Sequence, residues 1–298
     1  MSSIGEIIGA VLYLTELTKP PIQYPVVAFM TVASVIGTTA ALGMASLVTS
    51  FGLNWRIAFW IGAIIAVIGG VARNTLRETP EFADAQKRLL QKYKKANMDT
   101  KELKNDEILN QKVARKTTIY YFIMQCAWPI CFYFAYIACG GILKNSFGYS
   151  AAQVIHQNFI VSIFHLIGLI CVSYLSYKIY PLKIIKVKLF LLTVFIVLSP
   201  YFLNKSTDPF YVLIVQVCLV LFSFDLVPAL PIFFKKFPVF KRFTYNSMIY
   251  AISRAGMYLV TSFGMIYLTK YFGSYGLLVI MMPILIGCIL GLNHFQKL

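Results

Sequence analysis

The sequence predicts an all-α, polytopic membrane protein folded as a helical bundle. Three observations predict this fold class. The chain of 298 residues is 59% hydrophobic and only 13% charged, whereas a soluble domain carries about 25% charged residues. Long apolar segments recur along it, and the one long hydrophilic stretch runs from Arg73 to Lys116. Its 24 Phe and 19 Tyr residues suit lipid-facing helices and membrane interfaces.

Nine apolar segments are candidates for membrane-spanning helices. A bilayer core requires about 20 apolar residues in a helix, and backbone groups in lipid must be hydrogen-bonded within the segment. The first segment covers about half of a bilayer, so the sequence predicts eight or nine transmembrane helices. The candidate spans are residues 4–15, 25–50, 57–72, 118–143, 152–177, 187–203, 210–232, 245–269 and 275–292.

The distribution of basic residues predicts the orientation of the chain. Of its 27 Lys and Arg residues, 22 fall in one alternating set of loops and 4 in the other, with Arg254 inside a span. The positive-inside rule places the richer set and the C-terminus in the cytoplasm, which predicts a multi-pass protein of the cell inner (plasma) membrane. The net charge of +16 therefore reflects cytoplasmic loops and does not indicate nucleic-acid binding.

Several other function classes are not supported by any motif. The six cysteines lie inside apolar segments without a Cys-x-x-Cys pair, so neither a disulfide framework nor a metal site is predicted. The sequence has no nucleotide-binding Gly-Lys loop, no His-Glu-x-x-His and no Gly-x-Ser-x-Gly. We therefore expect neither an enzyme nor a cofactor, and no motif supports an ATP-driven pump.

The hydrophilic stretch itself carries helix signals. Thr79 can cap a helix that begins at Pro80, with an apolar stripe for the membrane surface. Asp99 could cap a second helix that leads towards Arg115. For residues 94–112, a solvated connector is the alternative.

Four patches of sequence resemble one known family. Asn54-Trp55-Arg56-Ile57-Ala58-Phe59 and the run from Arg73 to Phe82 look like the boundaries of the sixth helix in the metabolite:proton symporter branch of the major facilitator superfamily. That branch includes proline/betaine, α-ketoglutarate and citrate transporters. Residues 5–10, with Glu16 beyond them, resemble its fourth helix. Pro228, Pro231 and residues 237–244 resemble its tenth helix and the following loop.

The resemblance implies a domain organisation. Family members have two six-helix halves, and this chain would carry helices four to twelve, so that it resembles an N-terminally truncated, proline/betaine transporter-like member. Residues 1–72 would be a partial N-terminal half of three spans, residues 73–117 the cytoplasmic inter-half loop, and residues 118–298 a six-helix C-terminal half. The chain departs from the family pattern at Ser173, Tyr177, Tyr180 and Lys235, in and near loops that the family uses to hold one conformation.

Ionisable residues inside a bilayer are costly, so each is a candidate for proton coupling or for the substrate cavity. Glu6 lies about 14 Å from the cytoplasmic end of its span at about 1.5 Å per residue, a depth that suits a carboxylate carrying a proton. The alternative is that the short first helix inserts poorly and leaves Glu6 near water without a role. Asp225 and Arg254 lie at similar depths on consecutive antiparallel spans. They could form an ion pair that lines the cavity or that breaks between conformations; a static pair is the alternative.

Three further candidates are polar or aromatic residues in apolar spans. His165 and Gln125 lie within apolar spans, where such a residue is more often a hydrogen-bonded core residue than part of a proton relay. Trp128 precedes Pro129, and a proline inside a helix removes a backbone donor and bends the helix. Such a bend could line a cavity or could be structural only.

These observations lead to three hypotheses on function. The first is a secondary active transporter that moves a small zwitterion or organic acid, proline/betaine-like, together with protons by alternating access between two helical halves. The second is a truncated or split-gene remnant without transport of its own, completed by a separate polypeptide that carries the missing first helices, or by nothing. The third is a membrane scaffold or receptor that reuses the fold.

Overall fold

The computed structural model describes residues 2–52, 54, 56–73, 87, 111, 113–204 and 208–297. The described residues form helices, and no strand occurs among them. The helices are α1 Ser2–Leu17, α2 Gln23–Phe51, α3 Arg56–Arg73, α4 Arg115–Phe147, α5 Ala151–Lys178, α6 Pro181–Asn204, α7 Pro209–Phe222, α8 Leu230–Phe234, α9 Val239–Leu259, α10 Met265–Phe272 and α11 Gly276–Lys297. The predicted all-α fold is therefore confirmed.

Four of these helices are long and apolar enough to cross a membrane: α2, α4, α5 and α11. Two shorter apolar helical segments, Phe59–Val71 and Pro209–Phe222, accompany them within the described part of the chain. The predicted total of eight or nine spans stays a prediction, and so does the division at residues 72 and 118. The helices predicted from Thr79 and Asp99 lie outside the described residues, as do Trp55 and nearly all of the run from Arg73 to Phe82.

One predicted span is not a continuous helix. The apolar pattern predicts a helix over residues 210–232, but α7 ends at Phe222 and α8 begins only at Leu230. Pro228 and Pro231 explain the interruption, because proline lacks the backbone donor that a helix interior requires. The seven residues between α7 and α8 run through the interior of the bundle, where Ser223, Phe224 and Leu226 are buried.

Two other helices contain a single π turn. The turn Phe134–Ala138 interrupts α4 one turn beyond Pro129, and the turn Val260–Gly264 joins α9 to α10. Each π turn releases backbone carbonyl groups from regular helical pairing. The carbonyl oxygen of Ala135, within the π turn of α4, accepts a hydrogen bond of 2.6 Å from the buried side chain of Gln216 on α7.

The helices pack around a core in the C-terminal part of the chain, which comprises α4 to α11. Tyr121 of α4 is fully buried against Phe233, Phe234 and Phe237, with ring centroids 5.6–6.5 Å apart. Helix α4 packs against α9 and α11, while α2 packs along α5 and α1 packs against α9. The first two helices are thus held on the C-terminal part along their length.

The outer surface is apolar. Large side chains such as Phe29, Trp60, Phe190 and Tyr271 are 61–73% exposed, which is what lipid-facing positions require. All described side chains of α3 over residues 56–71 are exposed. This surface fits the predicted membrane helical bundle.

Candidate functional site

A cavity of about 410 Å³ lies between the first two helices and the C-terminal part of the chain. Such a volume is within the range of ligand pockets, about 300–1,000 Å³. Most of its wall is apolar, and a few polar groups interrupt it. The residues on its wall are Ile7, Ile8, Val11, Met30, Thr31, Ala33, Ser34, Val35, Thr38, Met124, Gln125, Trp128, Phe132, His165, Phe224, Asp225, Leu226, Val227, Leu230, Tyr250, Arg254 and Tyr258.

The break between α7 and α8 places Asp225 on this wall. Ser223 and Asp225 form a tight turn in which the Asp225 N–H donates to the Ser223 carbonyl oxygen at 3.0 Å. Irregular backbone at membrane depth occurs where it is buried in protein or lines a cavity. Discontinuous helices of this kind form the binding sites of many secondary transporters.

Asp225 is paired with Lys188 and not with Arg254, which corrects the predicted ion pair. The Nζ atom of Lys188 lies 3.1 Å from Oδ2 of Asp225, and the two side chains are 9% and 13% exposed. The prediction assumed a continuous helix through Asp225, whereas the break turns this residue towards α6. The other carboxylate oxygen, Oδ1, is buried and has no hydrogen-bond partner among the described residues.

Lys188 itself lies inside the bundle. The count of basic residues groups it with the cytoplasmic loops, although it falls at the start of the predicted span 187–203. Helix α6 begins at Pro181 and buries Lys188 two turns later. It lines a void of about 10 Å³ together with His165, Gly168 and Val220. His165 thus lies between this void and the larger cavity, because it lines both.

Arg254 reaches the cavity from α9 and is held in two ways. Its Nη1 atom donates to the carbonyl oxygen of Gln125 at 2.6 Å, and its guanidinium lies 4.3 Å from the centroid of the Tyr250 ring. Tyr250, Arg254 and Tyr258 are spaced by four residues, which places them on one face of the helix. Among the described residues, no carboxylate lies within ion-pair distance of Arg254.

Of the remaining predicted residues, Gln125, Trp128 and His165 line the wall and Glu6 does not. Gln125 is buried and its amide donates to the hydroxyl of Tyr121 at 2.8 Å. Trp128 stacks on the buried His165 with ring centroids 5.1 Å apart. Glu6 is exposed on α1, one residue before Ile7 and Ile8 of the cavity wall, and is not itself on that wall.

Near one end of the cavity, polar contacts join the first two helices to the C-terminal part. Nη1 of Arg242 donates to Oε1 of Glu16 at 2.9 Å, with side chains 5% and 4% exposed. Lys235 donates to the Gln23 amide oxygen at 3.1 Å. Two further contacts join the start of α2 to the region around the end of α5: the Ser173 hydroxyl donates to the Pro25 carbonyl oxygen at 3.2 Å, and Tyr24 meets Tyr180 edge to face.

Sequence reasoning missed Lys188, Tyr250 and the Glu16–Arg242 pair as parts of this arrangement. Lys188 carried a detectable signal, since it falls inside the predicted span 187–203, where a charge is costly. The spacing of Tyr250 and Arg254 was also readable as one helix face. The partners of Glu16 could not be identified, because they are 226 residues away in sequence.

Comparison with known families decides the class of the protein. Residues 4–234 match the profile of the Major Facilitator Superfamily. The chain belongs to this superfamily. A comparison with curated proteins found no match.

The protein is thus a membrane transporter of the superfamily, whose members are transporters rather than enzymes and act on small-molecule substrates within the lipid bilayer. This assignment agrees with the cavity, because the substrate of an alternating-access transporter binds between helical bundles near the membrane midplane. The family match does not favour the alternative hypothesis of a transport-inactive remnant.

Proposed function

We propose that this transporter is a proton symporter for a small zwitterion or organic acid, of the proline or betaine type, and that it works by alternating access. In this proposal the protein lies in the cell inner membrane with its C-terminus in the cytoplasm. The observation that carries the proposal is the 410 Å³ cavity whose wall holds Arg254 and Asp225 without pairing them to each other. Two opposite charges, kept apart in one apolar cavity, match a ligand that carries both.

Arg254 is the group that would bind a carboxylate. Its planar guanidinium can donate several hydrogen bonds in a fork that matches carboxylate geometry, and the Gln125 carbonyl oxygen takes only the bond from Nη1. Tyr250, at 4.3 Å, holds the guanidinium plane in place. A carboxylate would therefore find a cation whose orientation is already fixed, which reduces the entropy lost on binding.

Asp225 is the group that would meet a cationic ammonium. Its Oδ1 atom has no partner among the described residues, and a buried acceptor without a partner costs about 1–3 kcal/mol. Trp128, Phe132, Tyr250 and Tyr258 also line the cavity. Aromatic faces attract quaternary ammonium groups, so a methylated ammonium such as that of betaine would be accommodated as well as a primary or secondary one.

The direct test is uptake by the purified full-length chain in liposomes. We expect labelled proline or betaine to accumulate when the outside is more acidic than the inside, and accumulation to collapse when a protonophore removes the gradient. Arg254→Gln should lower uptake at least about tenfold, the effect of losing roughly 1.4 kcal/mol of binding. Lys186→Gln is the matched control, because Lys186 is an exposed cation on α6.

The outcomes separate the possible substrates and mechanisms. Uptake of α-ketoglutarate or citrate in place of proline and betaine would assign the cavity to an organic acid. Uptake that ignores the proton gradient would reject proton symport. No gradient-dependent uptake of any of these four solutes, from a chain that folds in the liposomes, would contradict the proposal.

A further inference from the structure

We propose that Lys188 is an internal counter-cation of Asp225. Its ammonium group holds the carboxylate when the cavity contains no cationic ligand group, and a ligand ammonium competes with it for the same carboxylate. This proposal deepens the proposed function, because it assumes that Asp225 faces the cationic end of a ligand. It assigns to Lys188 a role in deciding how strongly the cavity binds cations.

The geometry gives Asp225 two neighbouring spaces. On the α6 side, Lys188 lies 3.1 Å from Oδ2 and lines a void of about 10 Å³. On the other side lies the cavity of about 410 Å³, whose wall includes Asp225 but not Lys188. A ligand in the cavity and Lys188 would therefore approach one carboxylate from different sides.

The need of a buried carboxylate for a counter-cation explains why a lysine is present at this position. A buried carboxylate without a cation is strongly destabilised, because its charge has left water without gaining a partner. Arg254 cannot serve Asp225 where it stands, because it is bound to the Gln125 carbonyl oxygen and stacked on Tyr250. Lys188 is the described cation within ion-pair distance of Asp225.

The chemistry of lysine suits a partner that can be displaced. An ammonium group is a compact charge on a flexible four-carbon stem, whereas a guanidinium binds a carboxylate through a rigid fork. The empty carrier would then reorient with Asp225 neutralised, and a bound ligand ammonium would weaken the internal pair. Lys188 thus lowers the affinity of the cavity for cations, and it allows the empty carrier to reorient.

The test uses a small cation that can replace Lys188. Purified full-length protein in detergent is unfolded by heat with and without methylammonium chloride, with potassium chloride as the ionic-strength control. We expect methylammonium to raise the Tm of Lys188→Met by about 2 °C at roughly ten times its Kd. The wild type should shift by less than about 1 °C, since its own ammonium already occupies the carboxylate.

Two controls assign the effect to this pair. Lys186→Met, which removes an exposed cation from the same helix, should behave like the wild type. Lys188→Met combined with Asp225→Asn should lose the response to methylammonium, because the carboxylate is gone. An equal response of the wild type and Lys188→Met, no response of Lys188→Met, or a response that persists in the double variant would each overturn the proposal.

A poorly folding variant still gives a decision. If Lys188→Met is recovered in low yield, methylammonium present during extraction should restore the yield towards that of the wild type. The yield of Lys188→Met could instead be restored by adding Asp225→Asn but not by methylammonium. That result would reject the displacement of Lys188 by a cation in the cavity. These results do not depend on uptake: a wild type that takes up neither proline nor betaine would contradict the proposed function while the methylammonium response would still support the internal counter-cation.

Discussion

Single residues on the cavity wall are anchored with different strength. Arg254 has a hydrogen bond of 2.6 Å and a stacked ring, so its orientation is fixed before any ligand arrives. Asp225 is held by one contact to a flexible ammonium group at 3.1 Å. A carboxylate ligand would consequently meet a guanidinium that is already oriented. A cationic group would first have to displace the ammonium group from Asp225.

Glu6 is the residue at which proton coupling can be tested. It lies on α1 directly before Ile7 and Ile8 of the cavity wall, so protonation there changes the charge beside the cavity. Under the proposed proton symport through Glu6, we expect uptake by the wild type to rise as the external pH falls. Glu6→Gln, which imitates the protonated form, should make uptake independent of the pH gradient.

The control for Glu6 is Glu6→Asp, which keeps a carboxylate on the same helix and should retain the dependence on pH. Initial rates of uptake at several external pH values, with the internal pH held constant, measure the effect. A Glu6→Gln variant with the pH dependence of the wild type would remove Glu6 from the coupling mechanism and leave the cavity residues unaffected.

The sequence predicted which residues line the cavity better than it predicted which residues they contact. Asp225, Arg254, His165 and Gln125 were identifiable because polar groups in apolar spans are costly, and Trp128 because the helix-bending Pro129 follows it. All five line one cavity. Partners depend on which way each side chain faces. The depth calculation for Asp225 used a regular rise per residue, and this assumption failed at the break after Phe222.

At the scale of helices, the apolar segments predicted most positions correctly. The helices α2, α4, α5 and α11 cover the predicted spans 25–50, 118–143, 152–177 and 275–292. The break within 210–232 was less visible, because Ser223–Ala229 is nearly as apolar as a helix interior. Hydrophobicity reports the environment of a segment, whereas Pro228 and the following contacts decide its backbone path.

Helix packing depends on two glycines of α11. Gly287 and Gly291 are four residues apart and face α4, where a Cβ atom at Gly287 would lie 2.4 Å from Cγ2 of Ile123 and one at Gly291 would lie 2.7 Å from Sδ of Met124. Small residues at such spacing let membrane helices approach closely. Ile123 is β-branched and stiff, so it cannot yield as the end of a methionine side chain can.

We therefore expect Gly287→Ala to destabilise the protein by about 1–3 kcal/mol, the usual cost of overpacking. Gly62→Ala is the matched control, because nothing lies within 4 Å of its Cβ position on α3; it should be neutral or stabilising, since alanine favours helix by roughly 0.5–1 kcal/mol. Thermal unfolding of both variants in one detergent makes the comparison. Equal Tm values for the two variants would refute close packing of α11 on α4.

At the scale of the whole molecule, the contacts near one end of the cavity couple the first two helices to the C-terminal part. The Glu16–Arg242 pair at 2.9 Å, the Lys235–Gln23 hydrogen bond at 3.1 Å and the Ser173–Pro25 hydrogen bond at 3.2 Å all cross this boundary. Ser173 and Lys235 are positions at which the chain departs from the family pattern that it resembles. These departures therefore coincide with contacts that would have to separate if this end opened.

The Glu16–Arg242 pair is the strongest candidate for holding that end closed, because both partners are charged and almost fully buried. Removing one charge from a buried pair weakens the closed state, and each 1.4 kcal/mol of weakening raises the population of an opened state roughly tenfold. In a background without the six native cysteines, a cysteine introduced at the buried Ser173 position reports opening through its rate of maleimide labelling. We expect Glu16→Gln to speed this labelling about tenfold or more. Lys19→Gln, which removes an exposed charge two residues beyond α1, should leave the rate unchanged. Equal acceleration by both variants would show a general effect of charge removal at this end. No acceleration by Glu16→Gln would show that the pair does not control this end.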